Sequence, residues 1–152
     1  MAGIRIAQPS DRTALAKMRA SLWPEASYED HLREVDASFG DVPTATLPSA
    51  TLVSCAPDGT LTGFLEVDLR SHADGCDPVR PVGYVEGWFV DEPSRNQGIG
   101  GELMRAAEAW ARSHGCVEMA SDVLIDNSGS QIAHKALGFE VVDRCVHYRK
   151  NL

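Results

Sequence analysis

The chain has no run of about 18 apolar residues, the length a helix needs to cross a bilayer, so no transmembrane helix and no membrane partner are expected. Its N-terminus, MAGIRIAQPSDR, lacks the basic-then-apolar order of a secretory signal, which points to a cytoplasmic protein. Cys55, Cys76, Cys116 and Cys145 are widely spaced with no Cys-x-x-Cys, which argues against a zinc ribbon or redox pair and for reduced, mostly buried thiols. His31, His72, His114 and His147 show no metal-ligand spacing, so no metal is predicted. Positive charge is scarce: 14 Lys and Arg stand against 22 Asp and Glu, a formal net charge of −8. Nucleic acid and anionic membrane favour basic faces, so a cationic substrate fits better than either. Internal repeats and low-complexity tracts are missing too.

What is present suits one compact domain over residues 1–152, with 43% hydrophobic residues to fill a core. Ile4 and Ile6 alternate with Arg5 in an opening strand, and Pro9-Ser10-Asp11 supplies a turn and a helix cap. Ala14, Leu15, Met18 and Leu22 recur at helical spacing, and Trp23-Pro24 ends that helix. Ser27 with Asp30 resembles a capping box opening a second helix through about Asp36. Thr51 to Ala56 and Leu61 to Leu69 read as a hairpin closed by Pro57-Asp58-Gly59, and residues 71–81 as a polar loop.

The stretch from Tyr84 to Gly115 organises the rest. Val82 to Val90 is an apolar, β-branched and aromatic run, a buried strand by this pattern. Arg95-Asn96-Gln97-Gly98-Ile99-Gly100 then places glycines where backbone must approach a ligand closely, and it opens onto a helix. Unpaired first-turn amides and the helix dipole favour a pyrophosphate at such a spot. No Lys-Ser or Lys-Thr follows Gly100, so this is not a Walker loop. Leu103, Ala107, Trp110 and Ala111 form the apolar stripe of the helix, which Gly115 stops. Val117 to Leu124 reads as a further strand and Asp126-Asn127-Ser128 as the start of a helix through Leu137, capped by Gly138. Phe139 to Tyr148 reads as a final strand or bent strand pair. Interleaved strands and helices with one hairpin predict an α/β fold with a mixed sheet flanked by helices.

Arg-x-x-Gly-x-Gly after an apolar strand, then a helix, a second strand, Asn127, and a short helix ending Leu137-Gly138-Phe139, resembles the GNAT superfamily of N-acetyltransferases over most of the chain. More narrowly, Leu22-Trp23-Pro24, Gly75-Cys76-Asp77, Val85-Glu86-Gly87, Glu118-Met119-Ala120-Ser121-Asp122, Ala136-Leu137-Gly138-Phe139-Glu140 and Tyr148-Arg149-Lys150 look like aminoglycoside 6′-N-acetyltransferases. The resemblance implies a sheet whose two central parallel strands splay apart, acetyl-CoA as cosubstrate, a cationic aminoglycoside as acceptor and a homodimer. It assigns the pyrophosphate to Arg95, Asn96, Gln97, Gly98, Ile99, Gly100 and Gly101, the pantetheine to the backbone of Phe89 and Val90, and a further cofactor contact to Asn127, which also suits a helix N-cap.

Glu86 is the one charged residue in the run from Val82 to Val90. A carboxylate there needs a partner or a cleft, and it suits either an ammonium contact or proton acceptance; an exposed strand face or a structural ion pair is the plainer role. Asp122, at a strand end where open α/β sheets place ligand-facing groups, is a second substrate contact, or a turn cap. Many members of the superfamily carry a tyrosine four residues before the Gly of Gly-Phe. His134 stands there instead, and it and Tyr148 are the candidate proton donors, with core packing as the alternative for each. Trp23 and Tyr28 are candidate walls of the acceptor cleft, or core. Acetylation of a polyamine or protein amine, and acyl-CoA sensing without turnover, remain open beside the aminoglycoside reaction.

Overall fold

Leu65-Glu66-Val67-Asp68-Leu69-Arg70 alternates strictly, which gives one strand two unlike faces, and the sheet is built around that difference. The computed structural model describes residues 3–152. Its strands are β1 (Gly3–Ile6), β2 (Ser49–Cys55), β3 (Leu61–Arg70), β4 (Val82–Val90) and β5 (Met119–Ser121), and its helices α1 (Arg12–Leu22), α2 (Tyr28–Ser38), α3 (Ile99–Ser113) and α4 (Ser128–Ala136). The strands lie in the order β1-β2-β3-β4-β5, antiparallel throughout except for the parallel β4–β5 pair. This is the mixed sheet that the interleaved pattern predicts.

One sheet face is apolar along its length. Leu65, Val67 and Val85 pack there against Ile99, Leu103, Met104 and Ala107 of α3. The other face is apolar only at one end, where Val53 and Phe64 lie beneath Leu15 and Met18 of α1 and Val35 of α2. Full burial of side chains such as Phe64 and Leu15 contributes about 1.5–3 kcal/mol each, which anchors the helices at that end. Farther along β3 the same face becomes Glu66, Asp68 and Arg70. The helices therefore cover a charged floor as well as a core.

A bulge divides β4. Val67 pairs with Val85 but Glu66 pairs with Gly87, so Glu86 is the extra residue. Before it, Tyr84 shares the face of Asp68; after it, Phe89 shares the face of Phe64 and Trp88 that of Leu65. Glu86 and Gly87 thus both face α1 and α2, while Trp88 turns toward α3. On its other edge β4 pairs with β5 only from Gly83 to Val85. Beyond Val85 the two parallel strands part, as the resemblance implies.

Helix ends follow the sequence closely. The Ser27–Asp30 capping box forms, and Asn127 caps α4 by accepting from the Ser130 amide at 3.1 Å. Three expectations are corrected. The strand expected over residues 117–124 is paired only at Met119–Ser121, because the chain turns away where β4 and β5 separate. The final strand expected over residues 139–148 does not form among the described residues: its valines have strand propensity but no strand lies alongside, and Val141, Val142, Val146 and Tyr148 stay exposed. Of the four free cysteines only Cys116 is buried, and Cys145 is exposed. No helix among the described residues is long and apolar enough to cross a membrane.

The start of α1 yields a stability test. Asp11, 7% exposed, accepts from the Arg5 guanidinium at 2.7 and 2.9 Å and from the Gln8 amide at 2.7 Å. The Arg5 contact, aided by the Gln8 amide, holds its carboxyl below the usual aspartate range. A depressed folded-state pKa adds stability that is present above the unfolded value and lost as pH falls through the folded one. Asp11→Ala is expected to cost about 1–3 kcal/mol in urea denaturation at neutral pH. That deficit is expected to shrink once the pH drops below about 4.

Candidate active site

The charged floor of β3 and the bulged turn of β4 enclose a cavity of about 620 Å³ beneath α1 and α2, lined by Arg19, Trp23, His31, Glu66, Asp68 and Glu86 among others. A second chamber of about 300 Å³ adjoins it under α2, lined by Ser38, Thr44 and Thr51 and sharing Arg19, Glu34, Glu66 and Asp68 with the first. Carboxylates outnumber cations here. Arg19 lies between Glu34 and Glu66 and hydrogen-bonds to both. Arg70 donates through Nε and Nη2 to one oxygen of Glu86, Oε1, at 3.0 and 2.6 Å. The ion pair foreseen as the plainer role of Glu86 is therefore present.

Burial acts on the acids directly. It pushes Glu66 up from the ordinary glutamate value, against the pull of Arg19. Asp68 is raised to about 6, by burial first and then by the charges of Glu86 and Glu66. The Arg70 guanidinium lies 3.5 Å from the ring centroid of Tyr84, whose phenol is pushed up to about 12 by burial and by the neighbouring Asp122. Tyr84 thus joins Asp122, just past the end of β5, to the acidic floor.

The opposite side of the splay is built differently. Asn96 takes a left-handed φ of 61° and Gly98 one of 83°, which turns the chain sharply into α3. Only Gly98 has no Cβ to oppose that conformation. The first-turn amides of α3 are left to face outward from a loop in which Arg95, Asn96, Gln97 and Gly98 are exposed. The Trp88 indole donates to the Gly100 carbonyl at 3.1 Å, fixing the loop against β4. Arg95 Nε donates to the Val90 carbonyl at 2.9 Å, and Gln97 donates to Pro93. Along the splay, residues 86–90 of β4 have no strand on the β5 side. An extended pantetheine arm beside that edge and a pyrophosphate on the α3 amides fit the backbone groups left free.

His134 stands between these parts. It is 9% exposed, its Nδ1 donates to the Ser130 carbonyl at 2.8 Å, and its Nε2 lies 2.8 Å from Ser121 Oγ. Trp88 and Phe139 meet its ring edge-on, each with centroids 5.2 Å away. With Nδ1 protonated, Nε2 of the neutral ring accepts the Ser121 hydroxyl. Tyr148 is 92% exposed on the C-terminal tail.

The structure thus brings Glu86 and Trp23 to one cavity; Asp122 is outside its lining and neighbours Tyr84. Val90, residues 95–101 and Asn127 lie toward the other side, whereas the Phe89 ring packs with Phe64 on the α1–α2 face and only its backbone borders the splay. Tyr28, at the first position of α2, is half-buried and outside the cavity lining. Sequence reasoning passed over Arg19, Glu66, Asp68 and Arg70. The alternation of Glu66, Asp68 and Arg70 carried a signal, but it is equally that of a solvated strand face.

The chain matches the Acetyltransferase (GNAT) family over residues 14–139. It is 40% identical over 149 residues to an aminoglycoside N(6′)-acetyltransferase type 1 of Klebsiella aerogenes, covering 98% of this chain and 96% of that protein. The aminoglycoside N(6′)-acetyltransferase type 1 of Stenotrophomonas maltophilia is 39% identical, with 98% and 93% covered. Among solved structures, AAC(6′)-Iy in complex with the bisubstrate analogue CoA-S-monomethyl-acetylneamine is 33% identical, with a TM-score of 0.86 and 100% and 99% of the two chains covered.

The cavity wall depends on a close approach. A Cβ added at Gly87 would stand 2.5 Å from the Trp23 ring, so the ring must shift. Gly87→Ala is expected to lower stability by about 1–3 kcal/mol in urea denaturation and to change tryptophan emission. Unchanged emission and stability would show that Trp23 does not rest on the bulge.

Proposed function

Because the chain belongs to the GNAT acetyltransferase family, we propose that it transfers the acetyl group of acetyl-CoA to the 6′-amino group of aminoglycoside antibiotics, and so confers resistance to them. The observation that carries the acceptor assignment is the acid-lined cavity of about 620 Å³ at the point where β4 and β5 part. A polycationic sugar is the kind of amine such a floor favours over a neutral one. The relatives named for this reaction, and the neighbour crystallised with a CoA–neamine bisubstrate, support the same choice.

In this reaction Glu86 holds the 6′-ammonium through the oxygen Arg70 leaves free and takes a proton from it, directly or through water. Asp122 and Trp23 form further parts of the acceptor wall, with Tyr28 at its rim. Arg95 and the amides of residues 97–101 hold the pyrophosphate, Phe89 and Val90 run beside the pantetheine, and Asn127 stands at the near end of α4. His134, packed on Trp88 of β4 with Ser121 at its Nε2, is the proton donor in preference to the exposed Tyr148: protonated on both nitrogens, it passes the Nε2 proton through the Ser121 hydroxyl to the leaving thiolate. Positioning of amine against thioester supplies much of the acceleration. The fit of acetyl-CoA, an intracellular metabolite, supports a cytoplasmic protein.

Dimerisation is part of the same proposal. The exposed Val141, Val142, Val146 and Tyr148 lie on a segment with no strand alongside it, and pairing with a second copy would cover them. Light scattering is expected to give twice the chain mass for the full protein and the single-chain mass after deletion of residues 141–152. A monomeric full-length protein would contradict it.

Thiol release from acetyl-CoA, followed with kanamycin, tobramycin, spermidine and a lysine peptide, tests the activity. Turnover with the aminoglycosides and one acetyl at the 6′-amine is expected, and Glu86→Gln should lower kcat/KM about 100-fold or more while acetyl-CoA still binds. Turnover with spermidine or the peptide alone would replace the acceptor, and tight binding without thiol release would make the protein a sensor.

A further inference from the structure

Asp68 is the carboxylate of the cavity that the assigned roles leave unused. It lies on β3 opposite Tyr84 and diagonal to the bulged Glu86, and it lines both chambers. Of the neighbouring acids, Glu86 is matched to Arg70 and Glu66 and Glu34 to Arg19; Glu25, also on the lining, is exposed and has no ion pair among the described residues, whereas Asp68 is half-buried. Among the described residues no cation pairs with Asp68. Two buried polar atoms on the lining, Arg19 Nε and His31 Nδ1, also lack hydrogen-bond partners. The junction is therefore polar, negatively charged and incompletely satisfied, which marks it for a polar occupant.

We propose that Asp68 binds a second ammonium group of the acceptor, so that a diamine or larger polyamine sugar is held at two points, its reacting amine by Glu86 and its next charged ring at the junction of the two chambers. This rests on the aminoglycoside assignment and adds to it the residue that separates polyamine sugars from monoamines. The register supports the division of labour. Glu86 sits at the mouth of the β4–β5 splay; Asp68 lies beside it on β3, close enough for the two carboxyl groups to share a hydrogen bond, and of the two it alone also lines the chamber under α2. A neutral acceptor atom at Asp68 would leave its charge unmatched in a partly buried site.

The acid side of the pH profile reports on the same group. Facing Asp68 are Glu66 and Arg70 on its own strand, Tyr84 and Glu86 on β4, Arg19 on α1, and His31 and Glu34 on α2, with Asp122 beyond Tyr84. Burial and the Glu86 and Glu66 charges raise Asp68 to about 6, so below that pH it must lose a proton before it can pair with an ammonium. Affinity for a polyamine weakens there.

The test compares neamine with methyl 6-amino-6-deoxyglucoside, which carries the reacting amine alone, in the full-length protein with acetyl-CoA. Asp68→Asn is expected to raise KM for neamine about tenfold or more beyond any change in KM for the monoamine, which the loss of the Asp68 charge reaches only through Glu86, and to change kcat for the two acceptors alike. The rise in neamine KM below about pH 6 should disappear in that variant, and Asp68→Glu should restore part of the affinity. Equal losses with both acceptors, a fall in kcat with KM unchanged, or an acid limb that survives in Asp68→Asn would each overturn the proposal. Wild-type protein that acetylates the monoamine but gains nothing from the extra amines of neamine would overturn it with the acetyltransferase assignment intact. Wild-type protein that acetylates neither would overturn the acceptor assignment itself.

Discussion

The pairing of β4 with its two neighbours is the constraint on which the site depends. Toward β3 the strand is paired along its length with one residue too many, and that residue is Glu86. Toward β5 it is paired for three positions, Gly83 to Val85, and then left open. The excess and the opening occur at the same place. The bulge turns a carboxylate and a glycine onto the α1–α2 face while the next residue, Trp88, goes to the α3 face. Acid chemistry and cofactor cradle thus occupy opposite sides of one strand, with the splay between them.

Electrostatics then separates the acids by role. Arg70 engages one oxygen of Glu86 and stacks on Tyr84, while Arg19 holds Glu66 to Glu34. These pairs keep a dense set of carboxylates compatible with a folded protein, since unmatched charges in a partly buried cleft are costly. Asp68 and Asp122 form no ion pair among the described residues, and in the proposed reaction a cationic acceptor completes the set. On the far side, the proposed attraction for an anion rests on backbone amides at the start of α3 rather than on a crowd of basic residues. A chain with net charge −8 can bind an acidic cosubstrate in this way.

Much of this was legible in the sequence, for identifiable reasons. Glu86 stands out because it interrupts an apolar run, and residues 95–101 because glycines open directly onto a strongly amphipathic helix. The capping box at Ser27 and Asp30 and the cap at Asn127 are local, so spacing alone discloses them. Glu66, Asp68 and Arg70 were hidden because a half-buried strand with one wet face has the same alternation. Their meaning depends on Arg19 and Glu34, which tertiary packing brings over from α1 and α2. The bulge itself leaves no signature in a run that reads as continuous strand. Residues 139–148 were misassigned for the converse reason: propensity is local, but a strand exists only where another lies beside it.

The central claim is that one bulged strand separates an acidic acceptor floor from an amide-lined cofactor cradle, and a crystal structure of the protein with coenzyme A and neamine tests it most directly. The account predicts the pyrophosphate on the first-turn amides of α3, the pantetheine along residues 86–90 of β4, and the 6′-amine within hydrogen-bonding distance of Glu86 on the α1–α2 face. An aminoglycoside bound away from Glu86, or β4 and β5 found paired beyond Val85 with the cofactor elsewhere, would contradict it.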